Sequence, residues 1–222
     1  LKVLVTRLEP GATATAGALA RLGFEPVVLP CLTAEPLAAY LPEAPAAIVL
    51  TSGQAVAALP ARYHDIPCFC VGDATAAKMR RAGFRTVSSA AGDAGDLFRL
   101  LMERRVSGTY LLATGERHGL ELARQLRESG IKVARRKVYR TQPVKTLPAA
   151  IRNALEASEI KKALFYSVET VKAFIRLQPP ATANLEALVL SPAIAQACQG
   201  LPWQKIRVAL APNEAELLAL LK

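Results

Sequence analysis

Six places in this 222-residue sequence gather residue types able to hold an anion: Thr6-Arg7, Thr51-Ser52-Gly53, Gly72-Asp73-Ala74-Thr75, Thr114-Gly115, Ser167 and Ser191-Pro192. Each follows a short apolar run and precedes a helical pattern. Hydroxyls donate hydrogen bonds, glycines let a ligand approach the backbone, and a helix N-terminus offers unpaired N–H groups under a partial positive charge. Carboxylate or phosphate is the ligand such a set favours. Ser, Thr and Asp are also ordinary N-caps, so capping competes at every position taken singly. Six positions around one cleft between two domains favour a polyanion.

Other chemistries lack their residues. No G-x-x-x-x-G-K-[ST] loop and no G-x-G-x-x-G fingerprint occurs, so the usual nucleotide cradles are missing. No G-x-S-x-G elbow occurs, and His64 and His118 fall in polar segments, which argues against a Ser–His triad. Cys31, Cys68, Cys70 and Cys198 form no C-x-x-C pair and the histidines are not spaced for zinc, so no metal is expected. Cys68 and Cys70 share a face of one strand and read as buried free thiols. The carboxylate pairs Asp93/Asp96, Glu156/Glu159 and Glu214/Glu216 read as helix-start or solvated charges. The densest charge run, Arg135-Arg136-Lys137-Val138-Tyr139-Arg140, is either a solvated strand with a partly buried Tyr or part of an anion-attracting cleft.

The elements that must position these residues follow from periodicity. Strand patterns lie at Val3–Thr6, Ala47–Thr51, Cys68–Val71, Thr86–Ser88, Tyr110–Ala113, Ala163–Tyr166, Ala187–Leu190 and Ile206–Leu210, each followed by a turn cluster and then a helix. Alternation of this kind predicts parallel sheets covered on both faces. Helical runs stop at Gly23, Gly83 and Gly130, where glycine takes the left-handed conformation cheaply. The fold class is α/β.

The strand–helix units also repeat. Val3–Gly11 resembles Leu111–Gly119, Ala47–Leu59 resembles Lys162–Phe174, Phe69–Ala76 resembles Leu188–Ala195, and Thr86–Leu97 resembles Arg207–Leu218. The offsets rise from 108 through 115 and 119 to 121, as small insertions require, and collinear matches predict two similar domains. Two extended stretches, Val27–Pro36 and Val133–Pro143, read as a paired connection. If the chain crosses twice, the domains are 1–30 with 144–222 and 37–136, joined by linkers 31–36 and 137–143. A tandem split near Val106 is the competing division.

Composition sets the outer bounds. Hydrophobic residues make up 52% of the chain, enough for a sizeable core and too many for disorder. The uncharged stretches 44–61 and 187–204 are interrupted by Gly, Pro, Ser and Gln, so no membrane span is expected. The sequence opens straight into a strand pattern without a leader signature, which points to a cytoplasmic protein. The net charge of +10 suits an anionic partner. With aromatics at only 5% and no nucleic-acid module, a small polyanion fits better than RNA or DNA.

In order along the chain, VTR…EPG near the start, LTS at 50–52, VGDATA at 71–76, VYRT at 138–141, YS at 166–167 and SPAIA at 191–195 resemble the uroporphyrinogen-III synthase family. The resemblance implies two flavodoxin-like α/β domains joined by a two-stranded β-ladder, which favours the double crossing. It implies a cofactor-independent reaction that cyclises the linear tetrapyrrole hydroxymethylbilane to uroporphyrinogen III, with loss of water and inversion of ring D. Eight substrate carboxylates match the basic charge and the row of donors. Tyr139 matches the family's tyrosine at the domain junction, an assisting and not indispensable proton donor to the leaving hydroxyl. Substrate binding is expected at Thr6, Arg7, Ser52, Gly53, Gly72, Asp73, Thr75, Thr114, Gly115, Ser167, Val168, Pro192 and Ala193. Gly53 and Val168 stand where the family often has Pro or Ala, and Ala193-Ile194 replace two hydroxyls, leaving backbone donors to substitute. A monomer is expected, with channelling of the bilane from the preceding pathway enzyme left open. The alternative reading is a non-catalytic two-domain binding protein for a small polyanion.

Overall fold

The computed structural model describes residues 1–9 and 11–222; Pro10, within the EPG triplet, lies outside the described residues. The first half of the chain forms β1 (Lys2–Val5), α1 (Gly11–Arg21), β2 (Glu25–Val28), β3 (Leu32–Pro36), β4 (Ala47–Leu50), β5 (Cys68–Cys70), α2 (Asp73–Arg81), β6 (Val87–Ser89) and α3 (Ala94–Glu103). The second half forms β7 (Thr109–Gly115), α4 (Leu120–Glu128), β8 (Lys132–Pro143), α5 (Ala149–Glu156), β9 (Ile160–Phe165), α6 (Val168–Arg176), β10 (Glu186–Val189), α7 (Pro192–Ala197), β11 (Lys205–Val208) and α8 (Glu214–Ala219). All eight strand patterns named above lie on strands. The segment after LTS is a 3-10 helix, Gly53–Ala58, in place of an α-helix. Gly53 opens it and Pro60 soon follows, so little chain remains for α turns before an imide that cannot donate.

Two compact units result, residues 1–33 with 142–222 and residues 34–141. The sheet of the first runs β11-β10-β9-β1-β2, with every pairing parallel. The sheet of the second runs β3-β8-β7-β4-β5-β6, parallel from β8 to β6. Counted in chain order, the first sheet has strand order 2-1-3-4-5, the flavodoxin-type arrangement. The second has the same order once its strands are matched through the sequence repeat, with β7 for β1 and β4, β5 and β6 for β9, β10 and β11. Apart from β3, which adds a sixth strand beside β8 at the edge of the second sheet, each unit takes two strands from one copy of the repeat and three from the other.

Alternation along the strands explains the layering. Val3 and Val5 pack on one face of the first sheet and Leu4 on the other. In the second sheet Ile48, Leu50, Leu111 and Ala113 face one layer, and Ala47, Val49, Tyr110 and Leu112 face the other. Strands buried on both faces must be apolar throughout, as Ala47–Leu50 is. Each Leu or Val so buried contributes about 1.5–3 kcal/mol relative to exposure. Gly83 ends α2 at φ +94°, where a side chain would also meet the His64 ring at 2.9 Å.

Candidate functional site

In the first unit, Thr6 and Arg7 follow β1. Thr6 is fully buried, and its hydroxyl donates to the Leu164 carbonyl at 2.6 Å, tying β1 to the neighbouring β9. Arg7 turns outward into a polar cluster. Its Nη1 donates to Glu214 Oε1 at 3.1 Å and to Thr15 Oγ1 at 3.3 Å, while its guanidinium carbon lies 4.1 Å from the centre of the Tyr166 ring. Thr15 and Tyr166 also donate to Glu214 Oε1, at 2.5 and 2.9 Å. Burial, the largest influence, pushes the Tyr166 phenol up to about 12.

The remaining first-unit positions are helix starts. Ser167 caps α6, its Oγ accepting from Thr170 N at 3.2 Å and lying 2.9 Å from Thr170 Oγ1. Val168 is the first residue of α6. Ser191 precedes α7 without a side-chain cap, and Pro192 is its first residue. As an imide, Pro192 has no N–H to offer a ligand, so the exposed Ala193 carries the first backbone donor there.

In the second unit, Ser52 caps the 3-10 helix by accepting from Gln54 N at 3.3 Å. Gly53 is buried against α2, where a Cβ would meet Lys78 Cδ at 3.2 Å. Gly72 is different. It precedes α2 in extended conformation without a side-chain cap, and a Cβ there would meet nothing within 4 Å. Open space over Gly72 leaves the first N–H groups of a nine-residue helix accessible, with Asp73 exposed and Thr75 buried.

Thr114, Gly115 and Tyr139 come together at the carboxyl end of β7. The β7–β8 register shifts there, from Thr114 opposite Lys137 to Gly115 opposite Tyr139. The extra residue, Val138, is a bulge, and bulges re-aim the side chains beside them. Val138 and Tyr139 are consecutively buried as a result. Tyr139 lies over Gly115, where a Cβ would sit 2.8 Å from Cζ, 2.9 Å from Cε2 and 3.0 Å from Oη. Gly115 is thus the seat of the tyrosine ring. Thr114 is fully buried, and its hydroxyl has no hydrogen-bond partner among the described residues.

Most of the basic run is committed to the fold. Arg135 donates to the carbonyls of Gly115, Glu116 and His118, fastening the loop after β7. Arg136 donates to Tyr40 O at 2.7 Å, and Arg140 pairs with Glu35 at 2.9 Å. Asp93 and Asp96 make a capping box on α3, whose backbone N–H groups hold the Asp93 carboxyl below its ordinary range. Cys31, Cys68, Cys70 and Cys198 are free and buried, and among the described residues no His/Cys/Asp/Glu group is arranged to hold a metal. No helix among the described residues is long and apolar enough to cross a membrane. Glu214 is the residue that pattern reading misses: it does begin a helix, but it also serves Arg7 from the far end of the chain.

Residues 13–219 match the family model described as uroporphyrinogen-III synthase HemD. Among solved structures, uroporphyrinogen-III synthetase from Helicobacter pylori 26695 is 19% identical with a TM-score of 0.66, over 99% of this chain and 97% of that one. A mutant uroporphyrinogen III synthase from the extremely thermophilic bacterium Thermus thermophilus is also 19% identical, with a TM-score of 0.49, over 100% of this chain and 96% of that one. No curated protein sequence gives a significant match. At 19% identity the Helicobacter structure speaks for the fold alone, and the family model speaks for the family.

Proposed function

Because the chain belongs to the uroporphyrinogen-III synthase family, we propose that its strand-end donors hold hydroxymethylbilane by its carboxylates while Tyr139 assists departure of the hydroxyl. The match over residues 13–219 is the observation that carries this reading. The reaction removes water from the bilane and closes it to uroporphyrinogen III with ring D inverted. No electrons change hands, so it requires no redox partner.

Chemically, the pyrrole bearing the hydroxymethyl group pushes out the oxygen, which leaves as water once protonated. Ring D then attacks the resulting methylene carbon through its already substituted α-carbon, giving a spiro intermediate. The bond from that α-carbon to the methylene of the neighbouring pyrrole breaks, and the free α-carbon of ring D closes on that methylene with loss of its proton, so the ring ends inverted. Unassisted closure gives the other isomer, so the protein must hold the chain folded while the electrophile exists. Positioning of this kind contributes up to about 7–11 kcal/mol in well-oriented intramolecular reactions. Tyr139 suits the proton-donor role because bulge and glycine seat fix its ring and no described residue shares a hydrogen bond with its phenol.

Substrate contacts are assigned most directly to Arg7 and Ala193 in the first unit and to the open backbone at Gly72 and Asp73 in the second. Ser52, Ser167 and Thr6 support these positions through caps and strand bonds, and Gly53, Thr75 and Val168 shape the same turns. Segments 31–36 and 137–143 are the joining strands. The chain works as a cytoplasmic monomer, and a bilane that closes spontaneously to the wrong isomer favours direct transfer from the enzyme that makes it.

Incubation with enzymically generated bilane, followed by isomer analysis, tests the function. Type III product is expected. Type I alone, at the rate of the protein-free control, would leave only the polyanion-binding alternative.

A further inference from the structure

Arg7 is held from three sides before any ligand arrives. Tyr166 covers one side of its guanidinium at 4.1 Å. Glu214 Oε1 takes Nη1 at 3.1 Å, and Thr15 Oγ1 accepts from the same nitrogen at 3.3 Å. Gly11 lies alongside, where a Cβ would stand 2.4 Å from Nε, 2.7 Å from Cζ and 2.9 Å from Nη2, so any larger residue would expel the guanidinium. Glu214 itself is saturated at one oxygen, receiving Arg7, Thr15 and Tyr166 on Oε1.

The use of Nη1 alone matters. A guanidinium carries five N–H donors in a planar fork that matches a carboxylate bidentately. Among the described residues no group accepts from Nε or Nη2, so the side-on edge of the fork stays unfilled. Arg7 remains partly open, with 31% of its side chain accessible. A mere surface ion pair would leave two long side chains mobile and would contribute little. Here an aromatic face, a hydroxyl and a glycine add to the pair, and they fix the plane of the guanidinium as well as its place. A donor pre-oriented in this way loses less side-chain freedom on binding.

We infer that Glu214, helped by Thr15 and Tyr166, is a positioning residue that mounts Arg7 as a bidentate receptor for one substrate carboxylate. The inference rests on the reading of this protein as a bilane-cyclising enzyme. Glu214 touches no reacting atom; it acts through Arg7. The acid comes from the start of the last helix and the base from the end of the first strand, so the receptor forms only when both ends of the first unit are in place.

Steady-state kinetics on the full chain with enzymically generated bilane test this. Glu214→Gln should raise KM by about tenfold, the equivalent of about 1.4 kcal/mol, with kcat and the type III fraction little changed. Glu214→Asp should recover part of the loss. In an Arg7→Ala background the Glu214→Gln change should add nothing further, because coupled residues are non-additive. An unchanged KM in Glu214→Gln, or an equal additional loss in the Arg7→Ala background, overturns the inference. Should Glu214→Gln fold poorly by thermal melting, Tyr166→Phe removes one donor to Glu214 and should raise KM by a smaller factor; no rise there also overturns it. The parent reading fails separately, if the wild-type protein makes no type III product.

Discussion

Thr6 and Thr114 occupy the same place in two copies of one structural unit, yet only Thr6 has a partner for its hydroxyl among the described residues. The contrast extends to their surroundings. The first unit ties its polar side chains to one another: Arg7 Nη1, Thr15 and Tyr166 converge on Glu214, leaving the Nε–Nη2 edge of Arg7 facing outward, and Ser167 is engaged with Thr170. The second leaves donors without a partner among the described residues, namely the buried Thr114 hydroxyl and the Tyr139 phenol above Gly115. A buried polar group without a partner costs about 1–3 kcal/mol, and such groups persist where function requires them. Two copies of one fold have therefore diverged in kind, the first toward an oriented charge and the second toward donors held in reserve.

Replacing Tyr139 should expose that divergence most. If its phenol protonates the departing hydroxyl, Tyr139→Phe should slow turnover by about 10²-fold, the lower end for loss of a general acid. Gly115→Ala should slow it by about ten- to a hundredfold, because a methyl 2.8 Å from Cζ must displace the ring. Combined, the two should cost little more than Tyr139→Phe alone. Single-turnover rates with isomer analysis check this; a Tyr139→Phe variant at full rate and full type III product would remove the chemical role.

The threonine pair comes next. Thr6→Val should lower unfolding free energy by about 1–2 kcal/mol, since it breaks the bond to the Leu164 carbonyl. Thr114→Val discards a hydroxyl that has no partner among the described residues and should be neutral or stabilising by up to about 1 kcal/mol. Equal destabilisation of the two, measured by denaturant titration, would mean that Thr114 has a structural partner and that the units are alike at this position.

The smallest difference between units is expected at alkaline pH. Burial pushes the thiols of Cys31, Cys68 and Cys70 up to about 12 and that of Cys198 up to about 11. A thiol with a raised folded-state pKa contributes stability in full below its unfolded value, and that contribution is lost as pH climbs from about 9 towards 12. Two of these thiols lie in each unit. Thermal midpoints should therefore hold up to about pH 8.5 and then decline. A midpoint flat to about pH 11 would show that the thiols titrate as in the unfolded chain.

Much of the fold was legible in the sequence because strands buried on both faces leave continuous apolar runs, and every such run is a strand. The β-like stretches around Val27 and Val133 carried a weaker signal. β2 and β8 lie beside β1 and β7, no residue of β2 is fully buried, and the Arg135–Arg140 run hides a sheet strand behind its charge. Site residues on strand ends were visible as hydroxyls and glycines. Their duties were not, since capping and ligand binding use the same residue types. Glu214 was hidden for a different reason: its partner Arg7 is 207 residues away, and no local pattern marks an acid that serves a distant base.

The exchange of strands between the two copies of the repeat has a consequence on the ribosome. Residues 34–141 form a contiguous unit, whereas β1 finds its partner β9 only when Ile160 and its successors emerge. At roughly 5–20 residues per second, β1 waits about eight to thirty seconds with an open strand edge. Throughout that interval Val3, Leu4 and Val5, fully buried in the finished protein, have only β2 and α1 to cover them. A nascent chain stalled after residue 141 would carry one finished unit and one incomplete sheet, whose open β1 edge stays available for pairing with other strands until Ile160–Phe165 follow.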